Sequence, residues 1–98
     1  MPAYMFQMEL GEEQEDMTLV LAEQRRCINK LFSESSVSSY CVAQNGKSIW
    51  CVVNAETEKD AMEVIAGFPL RRLFTDVVCH LLLFYDTVPL VTSDISLN

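Results

Sequence analysis

The sequence predicts an α+β domain with the element order β-α-β-β-α-β. Three observations carry this. Residues 3–10 alternate, with Tyr4, Phe6, Met8 and Leu10 on one side, as in a strand with one buried face. Apolar residues recur at spacings of three and four between Met17 and Phe32, the stripe of an amphipathic helix. Asn45-Gly46 separates two short strand-like runs, and both residues tolerate the positive φ of a hairpin turn. In this order the elements match the split β-α-β, or ferredoxin-like, pattern. Right-handed crossovers then give a four-stranded antiparallel sheet in the order 4-1-3-2, with both helices on one face.

Each element has its own signal. Gly11 ends the first strand, and Glu12, Glu13, Glu15 and Asp16 follow as an acidic run. Read as the first turn of a helix, with Arg25, Arg26 and Lys30 further along, the run suits the helix dipole. Met17, Val20, Leu21, Cys27, Ile28, Leu31 and Phe32 form the apolar stripe. The Ser-rich stretch 33–39 breaks this helix, and Tyr40 to Gln44 reads as a short strand. Ser48 to Val53 returns as its partner, and a three-residue loop sets Cys41 opposite Cys51. Asn54 or Thr57 caps a second helix with Glu56, Glu58 and Asp60 in or near its first turn. Gly67 stops it, and Phe68-Pro69-Leu70 turns the chain. The last strand spans 76–85, with Val77, Cys79, Leu81, Leu83 and Tyr85 on one side. Asp76, Val78, His80, Leu82 and Phe84 lie on the other. Residues 1–85 thus read as one domain and 86–98 as an extended C-terminal arm.

Composition bounds the function. The chain has 98 residues, half of them apolar, which is globular and fits a single small core. Fourteen acidic against seven basic side chains give a net charge of −7. That argues against nucleic acid and anionic membrane, both of which need a basic stripe. The N-terminal residues show no signal-peptide pattern, and no apolar run approaches the length of a membrane span, so a cytoplasmic protein is expected. Cys27, Cys41, Cys51 and Cys79 lack C-x-x-C spacing and read as free thiols. Cys41, Cys51, Cys79 and His80 match no zinc spacing, so no metal is expected. The three glycines do not cluster into a phosphate loop, and no cofactor is expected.

The face opposite the helices carries Met5, Gln7, Glu9, Val78, His80 and Leu82. It is too apolar to stay wet, so a second copy is expected to cover it, sheet on sheet, in a homodimer.

These residues bring a family into view. The chain resembles the muconolactone isomerase-like branch of the dimeric α+β barrels. The likeness lies in the opening strand Tyr4–Leu10, in Leu21-Ala22-Glu23 followed by Lys30-Leu31, and in Trp50-Cys51-Val52-Val53-Asn54 leading to the second helix. It extends to Gly67-Phe68-Pro69-Leu70 followed by Phe74-Thr75-Asp76-Val77, and covers about residues 3–85. The resemblance implies a barrel of paired sheets, a pocket at the helix-free face, cofactor-free proton transfer in a lactone, and a homodimer or larger ring. Where the family commonly has basic residues on the first strand, this chain has Met5 and Gln7.

The candidate site follows from chemistry at that face. His80, the one histidine, is the candidate proton carrier, since an imidazole both accepts and donates a proton, and Glu9 is the candidate carboxylate partner. Antiparallel pairing sets Glu9 nearer Asp76 and Met5 nearer His80. Gln7, Met5, Cys51, Asp76 and Trp50 are candidate ligand-binding residues. The same residue types also serve plain interface packing and solvated strand ends. Glu23 and Tyr40 read first as a surface pair and a packing aromatic, and Arg71-Arg72 as a compact basic pair.

Three function classes follow. One is a barrel binding a small, partly apolar organic molecule, with isomerase-type proton transfer as its enzymatic form. A second is a non-catalytic oligomerisation or ligand-binding module filled by its own side chains. A third is a cofactor-free, monooxygenase-like barrel.

Overall fold

A computed structural model of the chain describes residues 1–12 and 17–86. It is α+β, with β1 (Ala3–Leu10), α1 (Thr18–Ser33), β2 (Val37–Val42), β3 (Ser48–Asn54), α2 (Glu58–Ala66) and β4 (Phe74–Leu81). The strands form one antiparallel sheet in the order β2-β3-β1-β4. This is the predicted ferredoxin-like order. β1 lies in the middle because each helix carries the chain across one strand position before the next strand joins.

The alternation of β1 sets the layers. Tyr4, Phe6 and Met8 are buried, with Phe6 and Met8 at 0% exposure. They share one cluster with Ile28 of α1, Ala61 and Ile65 of α2, Cys51 and Val53 of β3, and Phe68 and Leu70. Beneath the helices the core is therefore continuous from helix to sheet. Burial at this scale, roughly 25 cal/mol per Å² of apolar area, is the main force holding the layers together.

Several boundaries differ from the sequence reading, each for a physical reason. α1 begins at Thr18 and has no acid in its first turn. The acidic run expected to open this helix therefore supplies none of the first-turn residues among those described. Glu13, Glu15 and Asp16 lie outside the described residues, and Glu12 reaches Lys47 at 3.8 Å. β2 starts at Val37, three residues before Tyr40, because Val37 is apolar, buried and paired with Val53. The turn between α1 and β2 spans Glu34–Ser36, and Ser35 takes its left-handed position, with φ of 62°. Asn54 Nδ2 donates to the Ser35 carbonyl at 2.9 Å and to Ser38 Oγ at 2.6 Å, which ties the turn to β3.

The hairpin loop has four residues, 44–47, not three. Val42 pairs with Ile49, and the Ala43 N–H donates to the Ser48 carbonyl at 2.8 Å. Gly46 N–H closes the turn on the Ala43 carbonyl, Gly46 takes φ of 75°, and Asn45 Oδ1 accepts from the Lys47 N–H. The extra residue moves Cys41 opposite Trp50, and Tyr40 opposite Cys51. A one-residue change of register moves a side chain to the other face, so Cys41 and Cys51 do not face each other.

Thr57 is the helix cap: its Oγ1 accepts from the Asp60 N–H at 3.1 Å, with Glu58 and Asp60 in the first turn. α2 ends at Gly67 with φ of −88°. Pro69 opens a 3-10 turn over Pro69–Leu73, where its missing N–H costs nothing. β4 then runs from Phe74, two residues before Asp76, and stops at Leu81 rather than Tyr85. One further bond, from Leu82 N–H to the Ala3 carbonyl, extends the ladder. Leu82 and Phe84 thus lie beyond the strand, and Leu83 and Phe84 are 98% and 75% exposed. Of the arm expected over 86–98, all but Asp86 falls outside the described residues. No helix among the described residues is long and apolar enough to cross a membrane.

Candidate functional site

The helix-free face of the sheet is built by strand parity. On β1 it presents Met5, Gln7 and Glu9. Their partners on β3 are Val52, Trp50 and Ser48. Their partners on β4 are His80, Val78 and Asp76. On β2, Ser39 stands beside Val52 and Cys41 beside Trp50. The face therefore has three rungs: Val52–Met5–His80, Trp50–Gln7–Val78 and Ser48–Glu9–Asp76.

The two pairings expected from sequence are both present. Glu9 stands opposite Asp76 and Met5 opposite His80. The same register separates His80 from Glu9. They lie two rungs apart, about 13 Å along the strands at roughly 3.3 Å per residue. Within one chain they do not form a hydrogen-bonded acid–base couple. Glu9 is engaged elsewhere: Ser48 Oγ donates to its Oε1 at 2.8 Å. Its backbone carbonyl accepts from Thr75 Oγ1 at 3.4 Å.

Exposure grades across the face. His80 and Asp76, on edge strand β4, are exposed, while Met5, Gln7, Glu9 and Trp50 are half-buried. Val52 is 0% exposed, although it lies outside the cluster beneath the helices. Its strand partners are Met5 and Ser39. Val52 was not among the sequence-picked residues for this face. The signal was its alternation with Cys51, obscured because β3 reads as a continuous apolar run.

Cys51 is the one candidate the sheet does not bring to this face. It pairs with Phe6 and Tyr40, is 0% exposed and belongs to the core under the helices. Burial pushes its thiol from 9.0 up to about 12. It is an inert packing group there. Cys27 and Cys79 are half-buried and their thiols are raised by burial as well; Cys41 is exposed. Among the described residues, no three His, Cys, Asp or Glu side chains are grouped to hold a metal ion.

The sheet's other side hides a polar residue that the sequence reading passed over. Gln24 is 3% exposed, the one buried polar residue among those described. Its Oε1 accepts from the Leu70 N–H at 3.2 Å and its Nε2 donates to the Tyr40 hydroxyl at 3.3 Å. The signal was positional: Gln24 fills the gap in the apolar stripe between Val20 and Cys27. The two larger grooves described also lie on the helix-bearing side. One, of about 390 Å³, is lined by Leu21, Gln24, Arg25, Tyr40 and Val42. The other, of about 260 Å³, is lined by Met62, Ile65, Ala66, Arg71, Phe74 and Val77.

No protein-family model matches the chain, and no curated protein sequence matches it.

Proposed function

We propose that the chain forms half of a dimeric α+β barrel that binds a small, partly apolar organic molecule against its helix-free sheet face. The observation that carries this is the composition of that face. Met5, Trp50, Val52 and Val78 form an apolar centre, and Gln7, Glu9, Ser48 and His80 stand around it. An apolar centre with a few placed polar groups is the usual chemistry of a small-molecule site. A second copy supplies the opposite wall, as in the muconolactone isomerase-like proteins that the sequence resembles. In the enzymatic form of this reading His80 carries the proton, because an imidazole both accepts and donates near neutral pH. The carboxylate partner of His80 is then Glu9 of the second copy, since Glu9 of the same chain lies too far along the strands.

One observation favours a second reading, a non-catalytic oligomerisation module. Val52 is fully buried beneath its own neighbours, as in an interior filled by side chains.

Thermal unfolding in the presence of small lactones and aromatic acids tests the first reading. A ligand at a hundred times its dissociation constant adds about 2.7 kcal/mol. Stabilisation that Gln7→Ala or Trp50→Ala removes supports a site on this face. A panel of lactones that moves neither wild type nor variant supports the module. Loss of any lactone isomerisation in His80→Ala supports the enzymatic form, and unchanged turnover removes His80 as the proton carrier.

A further inference from the structure

We infer that the groove between α1 and the edge strand β2 is a second binding site, one that takes a small monocarboxylate with an aromatic or branched apolar body. The groove holds about 390 Å³ and is lined by Leu21, Gln24, Arg25, Tyr40 and Val42. That volume falls in the range of small-ligand sites, roughly 300–1,000 Å³.

Its polar groups converge on one chemistry. The Tyr40 hydroxyl accepts from Gln24 Nε2 at 3.3 Å. This occupies a lone pair and leaves the phenolic hydrogen free to donate. Among the described residues the structure gives that hydrogen no acceptor. The position of the hydroxyl is fixed from both sides. Gln24 is itself held by the Leu70 N–H at 3.2 Å, and the Tyr40 ring meets the Phe68 ring edge-on at 6.4 Å between centroids. Burial raises the Tyr40 pKa above its usual value, so the group remains a donor across the neutral range.

Arg25 supplies the charge. It lines the groove and acts electrostatically on Tyr40. It makes no ion pair among the described residues. In a chain of net charge −7, a guanidinium that no described carboxylate neutralises, in the same groove as a donor hydroxyl, selects an anion locally. A guanidinium and a hydroxyl donor together fit a planar carboxylate. The rest of the site is apolar: Leu21 and Val42 are each 50% exposed and form opposite walls. A free inorganic anion would leave those walls wet. A carboxylate on a flat or branched hydrocarbon covers them.

The site lies on the helix-bearing side and needs no second copy, so its outcome is separate from that of the open-face reading. The test uses benzoate and its neutral counterpart benzamide, titrated into the full chain by two-dimensional NMR. Benzoate is expected to shift the Gln24 side-chain amide and the Val42 methyls, and to bind about tenfold tighter than benzamide. Arg25→Gln, an exposed change that spares the fold, is expected to weaken benzoate about tenfold, and Tyr40→Phe about fivefold. Benzamide binding as well as benzoate would overturn the assignment. So would an Arg25→Gln affinity within twofold of wild type, or shifts confined to Trp50, Val52 and His80.

Discussion

Gln24 of α1 accepts a hydrogen bond from the backbone N–H of Leu70 at 3.2 Å, at a place where Gln24 is 3% exposed and Leu70 is 2% exposed. The bond joins the first helix to the turn that leads into β4. It satisfies a buried amide that the Pro69–Leu73 turn leaves without a partner of its own. Replacing Gln24 with Leu keeps the volume and removes the acceptor. An unpaired buried N–H costs about 1–3 kcal/mol, so Gln24→Leu is expected to lower the unfolding free energy measured in urea by that amount. A variant as stable as wild type would show that the bond contributes nothing net.

Two glycines should respond in opposite directions to alanine. Gly46 holds the hairpin with φ of 75°, a left-handed conformation that an L side chain pays for by roughly 1–2 kcal/mol. Gly67 ends α2 at φ of −88°, and an added Cβ would meet the Val64 carbonyl at an ordinary 3.5 Å. Gly46→Ala is expected to destabilise by about 1 kcal/mol, and Gly67→Ala to stabilise by about 0.4–1 kcal/mol through the unfolded chain. A stabilised Gly46→Ala would overturn the first assignment and a destabilised Gly67→Ala the second, both read by chemical unfolding.

Stability should fall as pH rises above the ordinary thiol range. Burial raises the thiols of Cys27, Cys51 and Cys79, with Cys51 reaching about 12 from 9.0. A group raised in the folded state keeps its proton there while the unfolded chain loses it. For Cys51 that contribution is complete below pH 9 and is lost between about 9 and 12, at up to roughly 1.4 kcal/mol per pH unit. Urea unfolding at intervals from pH 8 to 11 measures the slope. Cys51→Ala is expected to flatten it; an unchanged slope would assign the alkaline loss to other groups.

Cys41 offers a reporter for the helix-free face. It is exposed and stands opposite Trp50, on the face proposed to close against a second copy. Its alkylation by a bulky maleimide is expected to slow as protein concentration rises and the face is covered. Cys51, in the core, is expected to react only through global opening, which occurs in roughly one molecule in 10³–10⁸ at typical stabilities. A Cys41 rate independent of concentration, with one species of constant mass by light scattering, would count against sheet-on-sheet association.

Much of this architecture was legible in the residues, because period-two and helical patterns are local. Tyr4, Phe6 and Met8 identified the buried face of β1, and with it the pairing of Met5 with His80 and Glu9 with Asp76. The start of α2 was legible as Asn54 or Thr57, and the structure takes Thr57. The errors cluster where one element borrows from another. Val37 joins β2 because Val53 is there to pair with it, and β4 ends at Leu81 because the neighbouring β1 begins at Ala3. Cys51 looked available on a uniformly apolar strand, but the four-residue loop and the register with Phe6 put it under the helices.

The sequence by itself determined the order of elements, the sheet topology they require and the acidic charge that discourages nucleic acid. These follow from periodicity and composition, which need no knowledge of distant contacts. Tertiary structure decided which polar groups meet. It separated His80 from Glu9 by two rungs, tied Glu9 to Ser48, and buried Gln24 between Leu70 and Tyr40. Hydrogen bonds act over about 3 Å, and the one between Gln24 and Leu70 joins residues 46 positions apart in the chain. Their partners are fixed only when the sheet register and helix docking are.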